Sequence, residues 1–151
     1  MKAGEIAPDF ELPDETGKTR ALHEFLESGP VVLFFYPAAM TKGCTAESCH
    51  FRDLAAEFAE AGAHRVGISP DAVDKQARFS EKHSFDFPLL SDPDGTVATQ
   101  FGVRRSFGPL LTRRQTFVID TDRKVLEVIK SELRMGVHAD RALAVLRAQK
   151  P

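Results

Sequence analysis

The sequence lacks the features that mark membrane, secreted and nucleic-acid-binding proteins. Its longest apolar run, residues 31–36, is far shorter than the roughly 20 residues that a membrane-spanning helix needs. The first ten residues contain no apolar signal-peptide core. The formal net charge of -2 provides no electrostatic attraction for nucleic acid or an anionic membrane. We therefore expect a cytoplasmic protein that binds neither of them.

Cysteine is also scarce, since the chain has only Cys44 and Cys49. Two cysteines without an export signal are a poor basis for a secreted disulfide scaffold, and they indicate a reactive thiol pair or a metal site instead. A zinc site made of Cys44, Cys49 and His50 lacks a second ligand pair. The absence of a Cys-x-x-Cys motif argues against a thioredoxin-type reductase. We favour a reactive thiol pair.

No internal repeat, low-complexity tract or linker divides the 151 residues, so we expect a single domain, 1–151. Residues 31–36 are apolar without alternation, which predicts a central strand buried on both faces. The other predicted strands are 10–12, 19–22, 65–69, 89–90, 116–120 and 125–129. The predicted helices are 22–26, 44–61, 70–83, 96–101 and 138–149.

This order of elements predicts an α/β fold. Strands that alternate with helices form parallel pairs, and the late hairpin 116–129 adds antiparallel strands. The expected architecture is a mixed central sheet flanked by helices, preceded by a small N-terminal hairpin. Thioredoxin-like and flavodoxin-like sheets both satisfy the pattern.

Cys44 lies where the loop after the central strand becomes a helix. The free N–H groups and the positive end of the helix dipole at such a position stabilise a thiolate, which is the nucleophilic form of cysteine. Thr41 can offer a hydroxyl, Pro37 stiffens the start of the loop, and Gly43 allows close backbone approach. No packing role for Cys44 is evident, so we expect a nucleophile.

Cys49 follows five residues later on the same predicted helix. Helix geometry separates the two Cα atoms by about 8 to 9 Å, whereas a disulfide needs less than about 7 Å. A Cys44–Cys49 disulfide therefore requires the first turns of the helix to unwind. This arrangement is typical of a two-state redox element.

Two further residue types require an interpretation. Arg114, just before the strand 116–120, can reach the thiolate across the end of the sheet, lower its proton affinity and bind an oxygen substrate. The neighbouring Arg113 competes for this role, although the Arg-x-Thr-Phe spacing favours Arg114. We expect surface positions for all five histidines, which are scattered along the chain at 23, 50, 64, 83 and 138.

The residues around Cys44 resemble the peroxiredoxin active site. Residues 37–44, PAAMTKGC, match the pattern Pro-x-x-x-Thr-x-x-Cys, and a second cysteine five residues later is similar to the PrxQ, or bacterioferritin comigratory protein, subfamily. Similar segments are APDF at 7–10, FFYP at 34–37, FRD at 51–53 and RQTFVID at 114–120. The resemblance covers nearly the whole chain.

The resemblance implies a thioredoxin-like fold and a role for each matching residue. Cys44 would be the peroxidatic thiolate, which attacks hydrogen peroxide or an organic hydroperoxide and becomes a sulfenic acid. Thr41 and Arg114 would hold the peroxide, Pro37 would shield the loop, and Glu47 would orient the arginine.

It also implies how the enzyme is recycled. Cys49 would resolve the sulfenic acid to an intramolecular disulfide with Cys44, and a thioredoxin-like dithiol donor would reduce it. No metal, haem or flavin is implied. We expect a monomer because no extra apolar segment is evident. The alternative is a redox-regulated binding or sensor protein that is switched by the same disulfide.

Overall fold

The computed structural model describes residues 1–108 and 111–149. Seven strands and six helices occur in this part of the chain. In chain order they are β1 (Glu11–Pro13), β2 (Thr19–Ala21), α1 (Leu22–Leu26), β3 (Val31–Phe35), α2 (Lys42–Asp53), α3 (Ala55–Glu60), β4 (His64–Ser69), α4 (Val73–His83), β5 (Leu89–Ser91), α5 (Thr96–Gln100), β6 (Gln115–Ile119), β7 (Val125–Lys130) and α6 (Met135–Gln149).

The central sheet has five strands in the order β5-β4-β3-β6-β7. β3 pairs in parallel with β4 and antiparallel with β6, so the sheet is mixed, as predicted. β3 lies in the middle, and all five of its side chains are buried. The prediction of a central strand is confirmed because a strand covered on both faces has no solvent side for polar residues.

The two faces of β3 contribute to two hydrophobic clusters. Val31, Leu33 and Phe35 point into the cluster that includes α1, α5 and the N-terminal segment. Val32 and Phe34 point into the other, together with residues of α2, α3, α4 and α6. This division follows from the alternation of side chains along a strand. The second cluster also contains Cys44, so the thiol is on the side of the sheet that α2 and α6 cover.

The N-terminal hairpin is also confirmed, with β1 and β2 antiparallel. Its turn is held by Asp14, whose carboxylate accepts hydrogen bonds from the backbone of Thr16 at 2.9 Å and of Lys18 at 3.1 Å. Glu15 accepts the Leu89 N–H at 3.1 Å, which ties the hairpin to β5 at the sheet edge. This contact satisfies a donor on an otherwise open edge.

One helix was predicted over 44–61, and this was wrong: α2 and α3 are separate. They are divided at Leu54, whose φ of -97° and ψ of 22° are not helical. Phe51 and Phe58 keep the same buried side across the break. The apolar spacing therefore continues across the interruption, and periodicity cannot reveal it.

Two helix starts also differ from the predicted positions. α4 begins at Val73 rather than at Pro70, because Asp71 accepts hydrogen bonds from Ser69 and from the backbone of Ala39 and so belongs to a loop. α6 begins at Met135 rather than at His138. No helix in the described ranges is long and apolar enough to cross a membrane.

Candidate active site

The loop between β3 and α2 is held by a hydrogen bond to another loop of the protein. The backbone N–H of Ala39 donates to Asp71 at 2.6 Å, which connects the loop to the start of α4. Met40 has a φ of 69°, in the left-handed region that most side chains avoid. Pro37 is half-buried at the start of the loop. The chain therefore turns sharply before it enters α2.

Thr41 is the N-cap of α2, with extended backbone angles. Its hydroxyl donates to the carbonyl oxygen of Ala38 at 2.7 Å and makes no capping bond to the helix. The side chain is exposed. Because a hydroxyl that donates one hydrogen bond can still accept others, the Thr41 oxygen remains available to an incoming molecule.

Cys44 is in the first turn of α2 and is completely buried. Its sulfur accepts a hydrogen bond from Arg114 Nη2 at 3.2 Å. Cys44 belongs to the same buried cluster as Tyr36 and Phe51, so the expectation that it has no packing role was wrong. The sulfur thus lies between the positive end of a helix and a guanidinium, and both favour a negative charge there.

Arg114 connects three elements. Its Nη1 donates to Glu47 Oε1 on α2 at 2.7 Å, and its backbone N–H donates to Glu132 after β7 at 3.0 Å. The side chain is only 6% exposed. Burial lowers the pKa of Arg114, but Glu47 and Cys44 outweigh burial and raise it. The guanidinium is therefore a fixed cation, while Arg113 is exposed.

Glu47 has no exposed surface. Burial raises the pKa of this carboxyl from its ordinary 4.5 to about 8, although the Arg114 charge and hydrogen bond act in the opposite direction. Oε1 is bonded to Arg114, but Oε2 is buried with no hydrogen-bond partner. The two carboxyl oxygens of Glu47 therefore differ: Oε1 is hydrogen-bonded and Oε2 is not.

His138 on α6 is a site residue that the sequence interpretation missed. Its predicted surface position was wrong, because the ring is completely buried. Nδ1 is 2.8 Å from Thr116 Oγ1 and 3.6 Å from Glu47 Oε2. Its helical spacing with the apolar Ala142 and Leu146 was a signal that could have found it, since all three share the buried side of α6.

Gly43 allows two side chains to approach the first turn of α2. A Cβ at this position would lie 3.1 Å from Met135 Cε and 3.3 Å from Arg114 Nη2. Both separations are tighter than ordinary contacts, so a larger residue would displace the guanidinium or the methionine. The prediction at Gly43 was a close approach of backbone, whereas the neighbours here are two side chains.

Cys49 is half-buried further along α2. Both cysteines are free, and they are not at disulfide distance. Burial raises the pKa of Cys49, with a smaller opposing effect from Arg52. The raised pKa keeps the Cys49 thiol protonated at neutral pH. The Cys44 sulfur, in contrast, accepts a hydrogen bond from a guanidinium.

Comparison with known proteins identifies the family. The model of the AhpC/TSA family matches residues 3–128. The chain belongs to this family. It is 66% identical over 150 residues to the peroxiredoxin Rv1608c of Mycobacterium tuberculosis, covering 98% of this chain and 97% of that protein.

Two solved structures extend the comparison. The crystal structure of peroxidoxin BcpB from Mycobacterium tuberculosis has a TM-score of 0.96 and 63% identity, covering 100% of this chain and 99% of that chain. The bacterioferritin comigratory protein of Xanthomonas campestris has a TM-score of 0.82 and 33% identity, covering 92% and 90%, and was solved in trapped intermediate and ligand complexes of alkyl peroxide reduction.

The chain is therefore an enzyme, a peroxiredoxin of the PrxQ and bacterioferritin comigratory protein type, with the predicted thioredoxin-like fold. Its function is thiol peroxidase activity, and the family implies a peroxide substrate and a thioredoxin-like reductant. Cys44, Cys49 and His50, the alternative zinc ligands, do not form a metal-binding group. Within residues 1–108 and 111–149, no group of three or more Cys, His, Asp and Glu side chains could hold a metal ion.

Proposed function

We propose that Cys44 is the peroxidatic cysteine of this peroxiredoxin. The observation that carries the proposal is the 3.2 Å hydrogen bond from Arg114 to the Cys44 sulfur in the first turn of α2. The thiolate attacks the terminal oxygen of the peroxide and the O–O bond breaks. Cys44 becomes a sulfenic acid, and the departing oxygen takes a proton to leave as water or an alcohol.

Thr41 and Arg114 hold the peroxide in this proposal. The Thr41 oxygen accepts the peroxide O–H, and the guanidinium stabilises the charge that develops as the O–O bond breaks. Pro37 shields the loop from water, and Gly43 leaves room for the guanidinium beside α2. Glu47 positions Arg114 through the 2.7 Å bond to Nη1, so that Nη2 faces the sulfur.

Cys49 resolves the sulfenic acid. Its thiol attacks the Cys44 sulfur, water leaves, and an intramolecular disulfide forms. Five residues of intact helix hold the Cα atoms about 8 to 9 Å apart, so α2 unwinds locally before this step. A thioredoxin-like dithiol then reduces the disulfide, and α2 reforms.

We further propose that residues 1–151 form one domain, and that the protein works in the cytoplasm as a monomer. The domain proposal is supported by contacts that tie the N-terminal segment to the sheet, including the bond between Glu15 and Leu89. The monomer remains a prediction from the sequence, which contains no extra apolar segment.

Coupled turnover tests the central proposal. The full chain is mixed with thioredoxin, thioredoxin reductase and NADPH, and either hydrogen peroxide or cumene hydroperoxide is added. We expect many turnovers per molecule with each peroxide and none with Cys44→Ser. If each protein molecule consumed only one molecule of peroxide while reduced thioredoxin remained in excess, the proposal would be refuted. That result would indicate a redox-switched sensor.

A further inference from the structure

The peroxide reaction described above makes no use of His138, although it lies beside the reactive residues. Cys44, Glu47 and His138 are completely buried, and Arg114 is 6% exposed. If both the thiol and the carboxyl were ionised, one guanidinium would face two negative charges away from water. An uncompensated buried charge is costly, so the site requires one more proton.

The tautomer of His138 is determined by its neighbours. Nε2 is 2.8 Å from the carbonyl oxygen of Ser131, which can only accept, so Nε2 carries a hydrogen. In the neutral ring, Nδ1 is then an acceptor: its electron pair accepts the Thr116 hydroxyl at 2.8 Å and also faces Glu47 Oε2 at 3.6 Å. His138 therefore presents an acceptor to the carboxyl.

Glu47 Oε2 is the atom that needs a partner. It is buried with no hydrogen bond, and such an atom costs about 1 to 3 kcal/mol. The 3.6 Å separation from His138 Nδ1 exceeds an ordinary hydrogen bond by about 0.5 Å, which a small rotation of the carboxyl can close. A proton on Oε2 gives this oxygen its missing hydrogen bond, because it can point at the electron pair of Nδ1, which then accepts from both Glu47 and Thr116.

The surrounding charges favour the carboxyl as the proton's position. Burial lowers the pKa of His138, and Arg114 lowers it further, whereas the Ser131 carbonyl and Glu132 raise it to a smaller extent. Burial raises the pKa of Glu47. The other titratable pair between α2 and α6 is His50 with Asp140, whose members are 35% and 67% exposed and therefore screened by solvent.

We propose that a single proton is held between Glu47 Oε2 and His138 Nδ1, which makes His138 a positioning residue of the peroxidatic site. Glu47 then keeps its Oε1 bond to Arg114 without competing for the positive charge. The guanidinium becomes the counter-ion of the Cys44 thiolate alone, and the buried group is neutral overall. This inference rests on the proposed role of Cys44.

Infrared spectroscopy tests the proton directly and needs no peroxidase activity. Reduced wild-type protein with 13C-labelled glutamate should show the carbonyl band of a buried protonated carboxyl at neutral pH, and Glu47→Gln should lack it. A wild-type spectrum without this band would overturn the inference while leaving the peroxidase proposal intact.

Kinetics of Glu47→Gln provide a second test, because an amide resembles a neutral carboxyl. We expect the rate constant for peroxide reduction to fall in Glu47→Gln, but by clearly less than the roughly hundredfold or more that follows the loss of one transition-state donor, because the amide oxygen can still accept from Arg114 Nη1. A loss of about a hundredfold would show that an ionised Glu47 is required and would overturn the inference.

Variants of His138 test its positioning role. In a Cys49→Ser background, the pH midpoint of Cys44 alkylation should rise by about one unit in His138→Leu, which is about tenfold less thiolate below the midpoint. His138→Gln restores an acceptor and should return the midpoint towards the parent value. His64→Gln, in a histidine far from the site, is the matched control.

The same experiment distinguishes a structural role. The inference would be overturned if the pH midpoint of Cys44 alkylation were the same in His138→Leu as in His64→Gln. This holds whatever the melting temperature of His138→Leu. If His138→Leu does not fold, the 15N chemical shifts of the wild-type ring decide. We expect a neutral Nε2–H ring at pH 7, and a charged ring would contradict us.

Discussion

Cys44 and Cys49 are on one helix, but their surroundings prepare them for different chemistry. Cys44 is in the first turn of α2, completely buried, and its sulfur accepts a hydrogen bond from a guanidinium. Cys49 is half-buried, and burial raises its pKa. The difference teaches that the surroundings of a thiol, here the start of a helix and a hydrogen-bonding guanidinium beside Cys44, suit one of two identical side chains to a nucleophilic role.

Removal of Cys49 is expected to have the largest effect. In Cys49→Ser no intramolecular disulfide can form, so the Cys44 sulfenic acid should accumulate and then over-oxidise to sulfinic acid. Mass spectrometry of peroxide-treated protein measures both products. Equal over-oxidation of wild type and Cys49→Ser under the same excess of peroxide would contradict the proposed resolving role.

The two cysteines can bond only if α2 unwinds, so the oxidised and reduced proteins should differ in helix content. Far-UV circular dichroism should show lower helicity in oxidised than in reduced wild-type protein, because the disulfide cannot form on an intact α2. One equivalent of peroxide should leave the helicity of Cys49→Ser unchanged. Equal helicity in the two wild-type states would contradict the geometric argument.

Removal of the guanidinium should make the surroundings of the two thiols more alike. We expect Arg114→Ala to slow peroxide reduction by about a hundredfold to a thousandfold, as is common when a charge-stabilising donor is lost. The pH at which Cys44 is half-alkylated should rise. Arg113→Ala, next in sequence but exposed, is the matched control. Equal pH profiles for the two variants would exclude the assigned role of Arg114.

The buried carboxyl predicts a pH dependence of stability near Cys44. The pKa of Glu47 is raised from 4.5 to about 8 in the folded protein, so the folded state binds this proton more tightly than the unfolded state. The resulting stabilisation is complete below pH 4.5 and disappears as the pH rises through about 8. The free energy of unfolding of wild type should therefore fall over this range relative to Glu47→Gln.

Urea denaturation at a series of pH values measures this slope. Glu127→Gln is a suitable control because the side chain of Glu127 is 29% exposed and pairs with Arg141. Parallel stability curves for wild type and Glu47→Gln would show that Glu47 has no raised pKa.

The smallest predicted effect concerns the neighbourhood of Cys49. His50 on α2 bonds Asp140 on α6 at 2.7 Å, and such solvent-exposed pairs contribute about 0.2 to 1 kcal/mol. Asp140→Asn should weaken the attachment of α2 and speed disulfide formation by about twofold to fivefold. Quenched-flow measurement can compare it with Asp74→Asn on α4. Identical rates would mean that this pair does not restrain α2.

Much of the site was accessible from the sequence because its signals are local. The apolar run of β3, the turn that follows it and the start of α2 are adjacent in the chain, so Thr41 and Cys44 could be placed directly. Arg114 lies far away in sequence, but it could be proposed because it stands just before an easily recognised strand, and the resemblance then supported the same residue.

The missed features depend on contacts between distant elements. The spacing of α6 could have shown that His138 is buried, but its contact with Glu47 arises only because α6 packs on α2. The predicted start of α6 was also three residues late, so His138 was placed at a helix end instead of inside the buried face. Leu54 keeps the apolar period while its backbone leaves the helix.

The break at Leu54 sets a limit on how far the catalytic cycle disturbs the fold. Hydrogen bonds of α2 end there, and α3 begins anew with Phe58 in the buried cluster. Local opening of the first turns of α2 during disulfide formation therefore need not propagate beyond this break into α3. We expect amide hydrogen exchange during turnover to quicken in the first turns of α2 and to stay unchanged in β4, whose amides bond neighbouring strands.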